Sequence, residues 1–579
     1  MCGIGGIISL SEKYIINPDD ITTMKQAIKH RGPDDEGSAS PDRCRSFFNV
    51  RLSIVDRSGG HQPIYNEDDS IGIVYNGELY NYHSLMDELI SKGHIFRTKT
   101  DTEVIIHLFE EEGVGSFDRL EGMFAFALWD RENTYLVRDK IGIKPLYIYQ
   151  DDEKLIFCSE VKGLFIANSV PDLSPEGIKD YLVFRYIRSP YTIYRQITKV
   201  PQGHYIHIKD SKLRSVQYWE IPVKNQSPEI THPPDLCEKL RTLLSDSINS
   251  QLIGEAPIGL LLSGGLDSST IAYFLNQQGV RLKAFNIGFT GLNEFSYTRE
   301  IARAYGLEYH EYALNRKDFV SYLQKYIQAI DEPVADAACI PLYKLAEEIK
   351  KHVTVVLSGE GADELFAGYW QYDKVVKSNN EADKKAFQTF LKESSYFPEN
   401  VDLLLDKTDS EDRYFHYFTH DTNLLRGMQS YDIKTWLPDD LMMKADKILM
   451  SQSLEGRFPF LDTRLLSFAL SLPLEFKLHN QYGKWILREA MKDVLPERIL
   501  TRPKMGFSVP IEVLLRTCRE IVKDVIQSYN PLNNYIDKFK ILRLFNEYYS
   551  GRNKEHLKIW TLFILYLWLS ANPAKRLYY

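Results

Sequence analysis

Ser263-Gly264-Gly265-Leu266-Asp267-Ser268-Ser269 joins a fully apolar run, PIGLLL, to a helical one, TIAYFLNQQG. Glycines let a backbone turn tightly around an anion. A following helix N-terminus offers unpaired N–H groups, and serine hydroxyls add donors. The pattern predicts a phosphate cradle at the carboxyl end of a parallel strand, where open α/β sheets bind ligands. It lacks the Gly-Lys-Ser/Thr ending of a P-loop. A carboxylate in an anion site needs a reason, and Asp267 is expected to hold Mg²⁺ against phosphate oxygens. Ser358-Gly359-Glu360-Gly361-Ala362-Asp363-Glu364 has the same logic after a second apolar run, VTVVL. Its carboxylates are costly to crowd together without a cation or a reacting group beside them.

The first half carries a different set. Met1 is expected to be removed because residue 2 is small, leaving Cys2 with both a thiol and a free α-amine. Their reference pKa values, about 8.5 and about 7.7–8.0, let the amine serve as general base for its own side chain. Arg51 offers a guanidinium fork suited to a carboxylate. Asn76-Gly77-Glu78 offers an amide and closely spaced backbone N–H groups for an oxyanion. Asp101, opening a capped helix, suits an ammonium group. Together they would hold both ends of an amino acid and stabilise a tetrahedral intermediate at its side-chain carbonyl. Singly, each has a plain structural reading: a surface Arg, a hairpin Asn-Gly, a helix cap.

The elements that must position these residues change character along the chain. GIGGIISL, SIGIVYNG, MFAFALWD, TYLVRD and KLIFCSE read as short strands, interrupted by one helix in TDTEVIIHLFEEEG that stops at Gly113. A linker is placed at 216–235, its polar, proline-bearing core spanning 224–235. Beyond it, strands alternate with helices and read as continuous apolar runs, which indicates a parallel sheet covered on both faces. From about Trp370 the chain reads as helical, and 374–429 carries no readable motif.

Bulk properties narrow the classes. The chain has 579 residues, 44% hydrophobic and 26% charged, enough for two to four domains. A net charge of -9 argues against a broad nucleic-acid surface. Six dispersed cysteines without a CxxC or a Cys/His cluster fit reduced thiols in a cytosol, and no signal peptide is read ahead of Cys2. The longest apolar run, Ile559 to Ser570, is too short to cross a bilayer and is expected to form a buried helix.

SGGLDSS resembles the pyrophosphatase loop of ATP-pyrophosphatases, and SGEGADELFAGY resembles the second signature of asparagine synthetases. Such enzymes adenylate a carboxylate with Mg-ATP, release pyrophosphate, and let ammonia attack the acyl-adenylate. The resemblance implies that Ser263, Gly264, Gly265, Asp267, Ser268 and Ser269 grip pyrophosphate and metal. Leu261 and Ile287 would line the adenosine site, with Ser358 and Gly359 on the nucleotide. Glu360 would support the β-aspartyl-AMP step, Asp363 would be a second metal ligand, and Lys484 would stabilise charge at the reacting centre. DEPVADAACIPLY, LPDDLMMKADKILMSQSLEGRFPFLD and RPKMGFSVP extend the match, though Arg457 before PFLD reads more simply as an ion-pair residue.

MCGI, HRGPDDEG, RLSIVD, YNGELYN, TDTEV, EGMFAFALWD and RDKIGIKPLY resemble class II glutamine amidotransferases. This implies Cys2 as nucleophile and glutamine held by Arg51, Leu52, Ser53, Ile54, Val55, Asn76, Gly77, Glu78 and Asp101. Asn76 and Gly77 would form the oxyanion hole, and HRGPDDEG a mobile loop over the substrate. The implied fold is an N-terminal-nucleophile layered αββα domain over 2–215. An adenine nucleotide hydrolase-like α/β synthetase domain with a helical C-terminal part follows over 236–579. Glutamine, aspartate and ATP are the expected small-molecule substrates, Mg²⁺ the cofactor, and a cytoplasmic homodimer without nucleic acid or membrane the expected state. Two other readings use related chemistry: amidation of another carboxylate, such as a sugar acid or peptide precursor, or an intramolecular ring-closing ligase. The second is disfavoured because Cys2, Arg51, Asn76 and Asp101 are all present. The same intact sets argue against a storage or regulatory protein.

Overall fold

Strand Cys2–Ser9 is buried along its whole length. It pairs antiparallel with Arg45–Arg51 on one side and Lys154–Cys158 on the other. A Cβ on Gly5 or Gly6 would lie 2.6 Å from the rings of Phe48 or Phe47, so glycine is what lets this strand lie between its neighbours. These strands belong to a six-stranded sheet that also holds 35–42, 147–150 and 197–199. A second six-stranded sheet is built on Gly72–Leu79, Gly122–Trp129 and Thr134–Arg138. Ile4, Ile8, Phe47, Val74, Ala125 and Leu136 fill the space between the sheets. On the outer faces Phe48 and Val50 pack on helix Pro18–Ile28, and Tyr75 and Leu79 on helix Asp101–Glu112. The layers are helix, sheet, sheet, helix, as the fold class required. This structure is a computed structural model that describes residues 2–571 except 167–170, 222–231, 380, 395, 406–412, 420–422, 480–481, 505, 507–508 and 529–531.

The helix read in TDTEVIIHLFEEEG is one of the few helices expected in this half. Pro18–Ile28, Tyr82–Lys92 and Pro175–Phe184 are helical as well. Asn17-Pro18 and Ser174-Pro175 are capped proline starts, with each cap side chain accepting a bond from the first-turn backbone. A strand-biased reading passes over them. The linker placed at 216–235 is shorter than expected at both ends, because strand Lys212–Gln217 and helix Pro233–Ser250 run into it. Its middle lies outside the described residues.

The second half centres on five parallel strands in spatial order 308–314, 283–289, 258–261, 355–357 and 455–457. The chain order therefore reverses between Ile258–Leu261 and Val355–Leu357, which creates the crevice where such sheets bind ligands. The two glycine-rich stretches follow these two strands. The fifth strand, Glu455-Gly456-Arg457, escapes pattern reading because charged residues flank its glycine. Helix His556–Ala571 is buried nearly all round, and no helix among the described residues is long and apolar enough to cross a membrane. The described part of 374–429 is largely helical. Its fully buried Gln429 donates to the carbonyls of Glu364 and Leu365 at 2.6 and 2.7 Å, propping the second glycine-rich turn from behind.

The two halves meet through buried charge. Arg31, fully buried, donates to Asp446 at 2.8 and 3.1 Å, to Glu160 at 2.8 Å, and from Nε to the Cys2 carbonyl at 3.1 Å. Lys447 donates to Asp331 at 2.9 Å and to the Ser159 carbonyl at 3.0 Å. Arg457 lies 3.4 Å from Glu78 across the same boundary. Removing one member of such a pair strands its partner's charge in a dry site. Asp446→Ala is therefore expected to cost about 3–5 kcal/mol, read as a lower urea midpoint of the intact chain. An unchanged midpoint would contradict this account of the boundary.

Candidate active site

Cys2 sits at the end of its strand, opposite Arg51 in the register. Its backbone nitrogen donates to Asn76 Oδ1 at 3.0 Å. That nitrogen is the Met1–Cys2 amide and occupies the place of the α-amine once Met1 is gone. Burial pushes the Cys2 thiol up, while the Leu52 N–H, Arg51 and the Asn49 side chain favour the thiolate. Asn76 is fully buried, and its Nδ2 has no hydrogen-bond partner among the described residues. A buried amide donor beside the Cys2 backbone is suited to a developing oxyanion. Gly77 is held by packing, because a Cβ there would stand 2.3 Å from the Met123 carbonyl oxygen.

The expected glutamine-binding residues surround this point in unequal roles. Arg51 Nη2 is taken by the carbonyls of Val55 and Asp56, at 3.0 and 2.7 Å, so much of its fork shapes the loop. Asp101 Oδ2 accepts from Tyr75 Oη at 3.1 Å and from the Leu79 N–H at 2.9 Å. Ser53 N–H donates to Asp34 at 2.9 Å. Leu52 and Ile54 pack on Ala256 and Val355 of the second half. Glu78 is buried against Glu455 and Arg457, and burial raises its pKa well above the usual range. HRGPDDEG does not form the single loop expected: residues 29–31 are a helical turn and 35–42 an edge strand. Asn49 and Arg31 were missed by motif reading, because their partners come from other strands and from the other half.

In the second half, a cavity of about 420 Å³ opens at the strand crevice. Its lining includes Leu261, Ser263, Asp267, Ser268, Ile287, Ser358, Gly359, Glu360 and Asp363. Gly264 (φ 71°) turns the loop in the left-handed region, and Gly265 caps helix Leu266–Gln277. Ser268 Oγ accepts from the Ser263 N–H at 3.2 Å, tightening the turn. Gly359 approaches the same turn so closely that a Cβ would meet Asp267 at 2.9 Å. Ser269, expected in the cradle, lines neither cavity here. Its side chain is fully buried and its Oγ has no hydrogen-bond partner among the described residues. The helix turns it inward, away from the neighbouring Ser268.

Lys484 joins the two carboxylates expected to hold metal. Its ammonium lies 2.8 and 2.7 Å from the Asp267 oxygens and 2.7 Å from Asp363. It is 3% exposed and adopts φ 58°, so it is no solvated surface lysine. A Cβ on Gly368 would stand 2.1 Å from its side chain. Lys504 reaches Asp363 from the other side at 2.5 Å. Arg488 and Arg502 complete the wall of a smaller adjoining cavity with Lys484 and Lys504. These four cations fit a polyanion. Only Lys484 was expected, because a cation in a helix or loop shows no partner in its own neighbourhood. The convergence of two hard carboxylate donors on one cationic centre fits Mg²⁺ as well as an ammonium.

Environment separates the crowded carboxylates. Burial opposes the charge on Asp363, but Lys484 and Lys504 outweigh it and hold the group at about 2. Burial and the nearby Asp363 charge raise Glu364 to about 7. Glu360 stays in the cavity wall. Lys444 also lines the cavity, 2.8 Å from Asp336, and its charge is reinforced by Glu360 and Asp440. Because Asp363 is depressed below its unfolded value, its contribution to stability is present above about pH 4 and is lost as pH falls toward 2. Asp363→Asn is expected to flatten that acid limb of the urea midpoint against pH. An identical limb in the variant would refute the assignment.

The comparisons with known proteins cover both halves. Residues 239–570 match the asparagine synthase family model and residues 1–219 the glutamine amidotransferase domain model. The chain is 34% identical to asparagine synthetase [glutamine-hydrolyzing] 1 of Bacillus subtilis, over 100% of this chain and 98% of that one. It is 29% identical to asparagine synthetase [glutamine-hydrolyzing] 3 of the same species, over 88% and 87%. It is 30% identical to asparagine synthetase [glutamine-hydrolyzing] 2 of Arabidopsis thaliana, over 88% and 78%. The chain therefore belongs to the asparagine synthase family, with a glutamine amidotransferase domain ahead of the synthase domain on one polypeptide.

Proposed function

We propose that this chain makes asparagine from aspartate, ATP and glutamine. The observation that carries the reading is the pairing of sites. Cys2 beside a buried amide donor that has no partner among the described residues lies in one half, and a carboxylate-and-lysine-lined crevice at a sheet switch point lies in the other. Full-length similarity to enzymes named for this reaction supports the choice of acceptor.

With Met1 removed, the Cys2 amine accepts the thiol proton and sulfur attacks the glutamine side-chain carbonyl. Asn76 Nδ2 and the Gly77 N–H stabilise the oxyanion, and the amine passes its proton to the departing nitrogen so that ammonia leaves as the thioester forms. Water then hydrolyses the thioester to release glutamate and restore the thiol. Asp101 and the loop held by Arg51 orient the amino-acid end of glutamine. In the crevice, Leu261 and Ile287 flank the adenosine, while Ser263, Gly264, Gly265 and Ser268 face the phosphates. Mg²⁺, held by Asp267 and Asp363, would supply countercharge to the pyrophosphate. The aspartate β-carboxylate displaces pyrophosphate at the α-phosphorus, with Lys484 positioned at the developing charge. Ammonia then attacks the acyl carbon, AMP leaves, and Glu360 takes the proton that ammonia sheds.

Cys2→Ala is expected to abolish glutamine-dependent asparagine formation while ammonia-dependent formation continues, each read by pyrophosphate release. Loss of both activities in a folded variant would sink the two-site scheme. Asn76→Ala is expected to lower glutamine hydrolysis about 10²–10³-fold, the usual effect of losing one oxyanion donor. Release of pyrophosphate that does not respond to aspartate would overturn the acceptor and leave the chemistry standing.

A further inference from the structure

Four side chains from three segments converge beside helix Asp101–Glu112, away from both sites described above. Glu67 comes from the turn after strand Ile64–Tyr65, His94 from the turn after helix Tyr82–Lys92, and His107 and Glu110 from helix Asp101–Glu112 itself. One donor atom from each lies within 4.8 Å of all the others. His107 Nδ1 is 2.7 Å from Glu110 Oε2 and 3.7 Å from Glu67 Oε2, and His94 Nδ1 is 3.5 Å from the same Glu110 oxygen. Donors around a tetrahedral ion with bonds of about 2.0–2.2 Å stand roughly 3.3–3.5 Å apart. The observed separations bracket that value.

The far side of three of the four ligands is hydrogen-bonded, and that of His107 faces a carboxylate. His107, whose side chain is 1% exposed, turns Nε2 to the buried Glu103 at 3.6 Å. His94 Nε2 faces Glu111 at 3.2 Å. Glu110 Oε1 accepts from Asn66 Nδ2 at 2.8 Å and Glu67 Oε1 from the Ile95 N–H at 3.4 Å. Glu103 is itself fixed by the Arg97 N–H at 2.8 Å, and by the Thr98 N–H and hydroxyl at 2.6 Å each. One atom each of His94, Glu110 and Glu67 is thus anchored by a hydrogen bond, and His107 Nε2 faces Glu103 without one among the described residues, while the other donor of each points to a common centre. Metal-ligating imidazoles and carboxylates are oriented in this way by their outer partners. Imidazole with carboxylate suits a first-row divalent ion more than the all-oxygen set of Mg²⁺ or Ca²⁺.

We propose that Glu67, His94, His107 and Glu110 form a structural site for a divalent transition metal, with Zn²⁺ as its probe. The ion would clasp two turns to the helix whose first residue is Asp101, and so brace the glutaminase half. The full chain, stripped with chelator and returned to excess Mg²⁺, is titrated with Zn²⁺ by calorimetry and with Co²⁺ by visible absorption. One Zn²⁺ per chain is expected, with the d–d bands of four-coordinate Co²⁺ and a Zn²⁺-dependent rise in thermal midpoint. His94→Asn, at a half-buried position, and Glu67→Gln, at an exposed one, are expected to weaken Zn²⁺ at least ~10-fold and to erase the midpoint rise. Cys2→Ala is expected to change neither. Absence of Zn²⁺ binding by the parent chain would overturn the proposal. So would binding that both ligand variants retain unchanged, or binding that Cys2→Ala abolishes.

Discussion

Arg31 is the constraint on which the two halves depend. Its guanidinium lies in a region without water access, so each N–H needs a partner and each partner carboxylate needs its charge. Nε holds the Cys2 carbonyl, and the two terminal nitrogens reach Glu160 of the same half and Asp446 of the other. Burial disfavours the charges on Asp446 and Glu160. Arg31 and Lys144 offset it for Asp446, and Lys162, His30 and Lys447 for Glu160, and both end below the usual carboxylate range. Such a pair contributes little net stability over an apolar contact, but its geometry admits few alternatives. It sets where the strand that begins at Cys2 stands against the second half.

Asp446 also shows how one helix serves two neighbours. Helix Met443–Met450 places residues 444 and 446 on opposite sides, since two residues advance about 200°. Lys444 faces the cavity at the strand crevice and Asp446 faces Arg31. A shift of this helix would be felt at the Cys2 carbonyl and at the cavity wall together. The crevice itself follows from strand order: the reversal between Ile258–Leu261 and Val355–Leu357 parts the loops that follow them. Gly359 then lets those loops touch at Asp267. The acidic stretch is tolerable because its groups differ in kind. Asp363 is anionic between two lysines, and Glu364 is held neutral through acid pH by burial.

Much of this was legible in the chain itself. Apolar runs marked the strands Ile258–Leu261 and Val355–Leu357, and alternation with glycine marked strands of both antiparallel sheets. The glycine-rich turns after those two parallel strands were legible by residue type and spacing, because backbone freedom is a property of single residues, and the roles expected of Cys2, Asn76 and Asp101 rest on residue type in the same way. The misses share a cause. Glu455-Gly456-Arg457 lacks an apolar signature because its buried charges pair with each other at 2.5 Å and Arg457 is held by the distant Gln251 and Ile253 carbonyls and by Glu78. Ser269 was placed in the cradle because adjacent serines look alike until the helix turns one of them inward. The Glu67, His94, His107 and Glu110 cluster is spread over three segments, so no local spacing announces it.

The sequence by itself determined which groups could react and which local backbones would carry them, since both depend on near neighbours in the chain. Tertiary structure alone decided which charges meet: Arg31 with Asp446, Lys484 with Asp267 and Asp363, and Lys504 with Asp363. A side chain's charge is written in its letter, but its partner depends on which distant segments the core brings together. In a dry interior that partner determines whether the charge can exist at all.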